Sequence, residues 1–265
     1  MKIQNSVLLL VYVTTLLACN TKTTKITDTP SAEKETAPIQ LSKAETLLNQ
    51  TLEAHGGSLY DSAHYQFVFR DNTYQFKNAG KGYEYTKTSK KGATVTKDQL
   101  INGVFSRTVN GEPIDLNEKD TKSATNSLNS VIYFATLPHK LLDTAVKTSY
   151  LGETTIKEEN YSILGVTFVQ EGGGKDFDDE YHYWINTAAH KIDYLAYNYT
   201  VDEGGVRFRS AYNTRVITGI TFQDYINYKA AIGTPLVALP GLYEAGELKE
   251  LSRIETENII NINGK

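Results

Sequence analysis

At 265 residues, 40% of them hydrophobic, the chain is long enough to bury a substantial core. Its net charge of −4 and pI near 5.8 argue against nucleic acid as a partner, because a domain of that kind usually carries a basic surface. A single cysteine excludes a disulfide within the chain, and eighteen tyrosines favour half-buried strands whose polar tips suit an amphipathic cavity.

Residues 1–18 read as an export signal. Lys2 supplies a short positive region, and Val7–Leu17 is an apolar run too short for a bilayer, which needs about 20 residues. Leu16-Leu17-Ala18-Cys19 then resembles the lipobox of bacterial lipoproteins. That resemblance implies cleavage after Ala18, lipidation of Cys19 and acylation of the new amino terminus; several chains anchor stably where one anchors marginally. Asn20 differs from the aspartate of an inner-membrane retention signal, so the expected location is the outer membrane, lipid-anchored and facing the periplasm. With Cys19 modified, no thiol remains for chemistry. Residues 19–40 comprise this cysteine and a linker of Thr, Lys, Glu and Pro with little to bury. Such a segment does not offset its ordering entropy and is expected to be a disordered tether reaching about 25 Å.

Residues 41–265 are expected to form one domain. Leu41–Gly57 reads as a helix: Ser42 is the N-cap, Glu45 completes a capping box, Ala44, Leu47, Leu48 and Leu52 share a face, and Gly56-Gly57 end it. His55 in its last turn suits the negative helix end. Short strands follow at 64–72, Tyr74–Phe76, Tyr83–Thr88, Thr94–Lys97 and Val104–Val109, and Asn110-Gly111 is a hairpin turn because both residues tolerate positive φ. Asp115–Asp143 breaks the alternation. Leu128, Ile132, Leu137, Leu141 and Leu142 mark one or two helices interrupted before Pro138, and the Ser/Thr-rich first part has poor helix propensity, as a mobile lid would. From Val146 onward five stronger strand-length runs appear, and the tail reads as a helix or a final strand. The fold class is therefore α+β: a large curved antiparallel sheet, a half-barrel, with an N-terminal helix and a helical insertion covering the concave face.

An exported chain with this order of elements resembles the LolA/LolB-like lipoprotein-carrier superfamily. The phrases at Tyr150–Phe168 and Tyr181–Tyr197 are similar to that group's recurring hairpins, and Val206–Tyr228 resembles a smaller, uncharacterised family of bacterial envelope lipoproteins. The resemblance implies an apolar cavity for acyl chains, and so a hydrophobic or lipid-like ligand carried in the periplasm. One fold hosts many functions, so a scaffold for a protein partner and a hydrolase of envelope material stand as alternatives. Aromatic and aliphatic residues expected to line the cavity are Tyr65, Phe67, Phe69, Tyr83, Tyr85, Leu128, Ile132, Leu141, Trp184 and Phe208.

Arg207 and Arg209 fall on one face of their strand and repel unless an anion or carboxylates sit between them, so they are candidates for an anionic headgroup or for ion pairs, with Asp224 as a partner. The acidic run Lys175–Trp184 lacks the spacing of a calcium loop, Gly172–Gly174 lies in a hairpin and not before a helix, and neither a zinc-protease HExxH nor a G-x-S-x-G elbow is present. The expectation is a monomer with no cofactor, no metal and no catalytic residues, a binding protein more than an enzyme.

Overall fold

The computed structural model describes residues 40–169, 179–200 and 203–264. The signal, Cys19, the linker up to residue 39, Gly172–Gly174 and residues 175–178 of the acidic run lie outside the described residues. Helix α1 (Lys43–His55) begins at the expected capping box. The Glu45 amide donates to the Ser42 hydroxyl at 3.2 Å, and the Ser42 amide donates to the Glu45 carboxylate at 2.7 Å. It ends at Gly56, whose φ of +134° favours glycine and whose backbone lies so near the turn at Gly219 that an added Cβ would stand 3.2 Å from the Gly219 carbonyl oxygen.

Six strands follow the helix: β1 (His64–Phe69), β2 (Asn72–Ala79), β3 (Gly82–Lys91), β4 (Thr94–Ile101), β5 (Val104–Val109) and β6 (Glu112–Ile114). Asn110 and Gly111 turn β5 into β6 with φ of 51° and 90°, as expected. Helix α2 (Glu118–Ala135) is capped by Asn117, whose side-chain oxygen accepts from the Asp120 amide at 2.9 Å. Glu118 and Asp120 oppose the positive helix end. This capped start and the packing of Leu128 and Ile132 hold a helix that propensity alone disfavours. The helix stops at Ala135, and a 3-10 turn (His139–Leu142) follows Pro138.

The second run is β7 (Val146–Ile156), β8 (Glu159–Phe168), β9 (Tyr181–Asn186), β10 (Ile192–Tyr199), β11 (Gly205–Ile217) and β12 (Ile220–Ala230), then a short α3 (Leu239–Glu244), β13 (Lys249–Ile254) and β14 (Glu257–Asn261). Among the described residues the strands form two antiparallel sheets of seven, in the orders β14-β1-β2-β3-β4-β5-β6 and β13-β12-β11-β10-β9-β8-β7. Neither sheet closes on itself. The class is α+β with an open, antiparallel β architecture, built from two sheets where the sequence suggests one. The tail supplies both a helix and strands: β13 extends the second sheet and β14 pairs with β1 of the first.

Alternation sorts the side chains into three cores. On the first sheet Tyr65, Phe67, Phe76, Tyr85 and Leu100 pack against Leu128 and Ile132 of α2 and against Ile220 and Phe222 of β12. On one face of the second sheet Leu164, Tyr183, Ile185 and Leu195 meet Leu47, Leu48 and Leu52 of α1 together with Leu137 and Leu141. On its other face Ile163, Trp184, Tyr194 and Phe208 are covered by Leu236 and by Leu239 of α3. Burial of both faces accounts for β9, in which all six residues are buried. The α2 insertion thus lies on the inner side, its Tyr133 hydroxyl 2.7 Å from that of Tyr183 across the gap to the second sheet.

His55 departs from its expected role. It is 1% exposed, and its Nε2 accepts from the Ile192 amide at 3.2 Å. Burial, with a smaller contribution from the Lys191 charge, pulls its pKa from 6.5 down to about 3. The ring is therefore neutral and ties α1 to β10; it is not a cation at the helix end.

Candidate functional site

The residues expected to line one cavity do not share a wall. Tyr65, Phe67, Tyr85, Leu128 and Ile132 are sealed into the first core, where Tyr65 stacks on Phe76 at 5.6 Å between ring centroids. Tyr83 stacks on Tyr85 at 4.5 Å at the margin of that core. Leu141 belongs to the α1 core. Trp184 and Phe208 lie on the opposite face of the second sheet, 5.7 Å apart and beneath α3. These side chains fill the interior, because strand alternation makes residues of either parity on a doubly covered sheet equally buried.

A groove does open, at the seam between the sheets. Its volume is about 270 Å³, just under the usual range of about 300–1,000 Å³ for small-molecule sites. One wall is the side of α2 that carries Ser127, Ser130, Val131, Phe134 and Ala135. The floor comes from Arg209 of β11, Gln223, Tyr225 and Asn227 of β12, and Ser252 and Ile254 of β13; Phe69, Arg70 and Thr256 close one end. Ser127, Val131, Phe134 and Ala135 follow the spacing i, i+4, i+7, i+8, which places them on one helix side. That periodicity is present in the sequence but mixed in polarity, and the more strongly apolar pair Leu128 and Ile132 outweighs it. Val131, Phe134, Tyr225 and Ile254 are absent from the sequence-based set, whereas Phe69 and Arg209 belong to it.

Pairing partners fix the face. Arg209 stands opposite Leu195 and Asn227, and Arg207 opposite Tyr197 and Lys229, so all six lie on the side of the second sheet that faces α1 and α2. The two arginines have different surroundings. Arg207 donates to the Val206 carbonyl at 3.1 Å and to the Tyr199 hydroxyl. With Lys229 and Lys249, its neighbours in register across β12 and β13, it forms a cationic shelf beside Glu247. Arg209 is 7% exposed. Its guanidinium lies 3.8 Å from the centroid of the Phe134 ring, and Nη2 donates to the Tyr197 hydroxyl at 2.9 Å. Burial raises the Tyr225 hydroxyl pKa beside it, the Arg209 charge pulling the other way.

Asp224 is not the partner of either arginine. It holds the corner where β13 passes into β14. Its carboxylate accepts from Arg215 Nη2 at 2.9 Å, Asn213 Nδ2 at 2.6 Å and the Thr256 amide at 2.9 Å. Arg215 also donates to the Thr256 carbonyl. This cluster ties β11 and β12 to the β13–β14 corner.

The groove lining carries hydroxyls, amides and arginines, with neither imidazole nor carboxylate among the described residues. It therefore offers no side chain of ordinary acid–base competence near neutral pH. Among the described residues no three His, Cys, Asp or Glu side chains gather as metal ligands. Of the acidic run, Asp179, Glu180 and His182 are described; His182 Nε2 and the Glu180 carboxylate pair at 2.8 Å. No described helix is long and apolar enough to cross a membrane.

Residues 57–256 match the model of a family of unknown function, DUF6503. No curated protein matches the chain. Among solved structures it is similar to a LolA superfamily protein from Nitrosomonas europaea, at 12% identity over 83% of this chain and 94% of that one, with a TM-score of 0.49. It is also similar to a DUF1329 family protein from Desulfovibrio piger, at 10% identity over 85% and 95%, with a TM-score of 0.48. A third similar structure is a candidate outer membrane lipoprotein-sorting protein domain from Vibrio parahaemolyticus, at 9% identity over 84% and 94%, with a TM-score of 0.43.

Proposed function

This chain belongs to the DUF6503 family, and we propose that it is a binding protein that holds a small amphipathic, lipid-like molecule in the groove beside α2. The observation that supports this reading is the groove's composition. Phe69, Val131, Phe134, Tyr225 and Ile254 offer apolar surface, a few hydroxyls and amides offer orientation, and no general acid or base stands among them. A ligand of this kind is held, not transformed. The protein acts as a monomer and uses no cofactor or nucleic acid.

The test is saturable binding of a neutral apolar fluorophore, N-phenyl-1-naphthylamine, to the full chain carrying Cys19→Ser. Decanol is expected to displace the probe. Val131→Glu places an unpaired charge on the groove wall and is expected to weaken the probe at least tenfold, about 1.4 kcal/mol. Equal binding by wild type and Val131→Glu, with both folded, would exclude the groove as the site.

We further propose that Cys19 anchors the protein to the outer membrane on its periplasmic side, the support being the Leu16-Leu17-Ala18-Cys19 sequence. Cys19→Ser is expected to move the protein from the membrane to the soluble fraction. Retention of the variant in salt-washed outer membranes would refute lipid anchoring.

A further inference from the structure

The floor of the groove contains a charge whose hydrogen bonds are incomplete. Arg209 is more than nine-tenths buried, yet its Nε and Nη1 have no hydrogen-bond partner. Its contacts are the single bond from Nη2 to Tyr197 and the flanking rings of Phe134 and Tyr197, at 3.8 and 5.3 Å. Rings stabilise the face of a guanidinium but do not accept from the N–H groups at its edge. Directly across the strand pair, Asn227 Oδ1 is also buried without a partner, its Nδ2 reaching only Ser252 Oγ at 3.4 Å. A buried cation with unmade bonds costs several kcal/mol unless an anion or acceptor completes it. Both side chains line the groove.

We propose that Arg209 is an anion-recognition residue, and that the ligand of the groove carries a terminal carboxylate which accepts from the Arg209 guanidinium. This deepens the binding reading above and rests on it. A carboxylate matches the single charge buried at the floor. A dianionic phosphate would bring a second negative charge, and the remaining arginine of the lining, Arg70, is exposed to water. Phe134, half-buried, lies over the guanidinium, whose Nε and Nη1 are sealed from solvent, and docking of the anion turns this ring aside. The acyl part then replaces Phe134 against Val131 and Ile254. Arg207 is not part of this site, since Tyr199 and Val206 already accept from it.

Displacement of N-phenyl-1-naphthylamine from the full Cys19→Ser chain at pH 8 by decanoate, decanol and decyl phosphate tests the assignment. Wild type is expected to prefer decanoate over decanol at least tenfold, the usual scale of a charge-assisted hydrogen bond. Arg209→Gln is expected to bring the two ligands within threefold by weakening decanoate alone. Arg209→Lys, which keeps the charge but not the Nε donor, is expected to fall between them and serves if the glutamine variant fails to fold. Equal binding of decanoate and decanol by wild type overturns the anion site and leaves the groove reading standing. Failure of every ligand, with no effect of Val131→Glu on the probe, overturns the groove reading itself. A tenfold preference for decyl phosphate over decanoate overturns the carboxylate assignment.

Discussion

Acidification from pH 7 to pH 4 is expected to remove on the order of 3 kcal/mol of folding stability through His55 alone. The unfolded chain protonates this ring near 6.5, and the folded chain only at about 3. Between those values the unfolded state binds the extra proton, so stability falls as the pH drops below 6.5 and the loss is complete near pH 3. His139 and His64, both lowered mainly by burial, act in the same direction. Asp193, raised mainly by burial, acts in the opposite one. The variant His55→Leu isolates the term. Losing the acceptor for the Ile192 amide is expected to destabilise it by about 1–3 kcal/mol at pH 8. Its stability should then change far less than wild type between pH 6.5 and 4. Urea unfolding at several pH values measures both, and parallel profiles for the two proteins would remove His55 as the cause.

The second large effect is expected at the β13–β14 corner. Asp224→Ala strands the Thr256 amide and removes the counter-charge of the Arg215 guanidinium, which keeps only its bonds to the Asn213 and Thr256 carbonyls and the Thr256 hydroxyl. Removing one member of a buried ion pair costs roughly 3–5 kcal/mol. Arg215 is 23% exposed in its side chain and recovers part of that from water, so about 3 kcal/mol is expected. Asp224→Asn, which keeps the shape and some of the bonds, should lose less. Hydrogen exchange should show β14 opening first in both variants. A loss under about 1 kcal/mol by denaturant titration would mean that the corner is held by strand pairing and not by this cluster.

The features that could be read from the sequence are local ones. Ser42 and Glu45 act within one turn, Asn110-Gly111 fixes its own dihedrals, and the alternation in β11 places Arg207 and Arg209 together and Phe208 opposite. What alternation does not contain is which face is covered by what. Large aromatics such as Trp184 and Phe208 suit a ligand wall, and their sequence context points to one. Their burial is instead set by Leu236, in a 3-10 turn, and by Leu239, at the start of a six-residue helix too short to show periodicity. The split into two sheets depends on β13 and β14 finding strands far away in the chain, and no local pattern records that choice. At the groove, Arg209 appeared as one of an equivalent pair, since the sequence does not show that Tyr199 satisfies one guanidinium while Phe134 and Tyr197 surround the other.

The pairing of β14 with β1 also has a temporal side. Tyr65 stands opposite Asn261, whose side chain donates to the Tyr65 hydroxyl across 196 residues. A ribosome delivers β1 long before β14 emerges. During that interval the outer edge of β1 offers unpaired amides and carbonyls to any strand nearby, including those of other nascent chains. Closing so long a loop also places the final contacts late, in the slow class of β topologies. Synthesis therefore leaves the first sheet with an open edge until β14 has been made, and a holding factor that shields β1 during that window would raise the yield of native protein without altering its final stability.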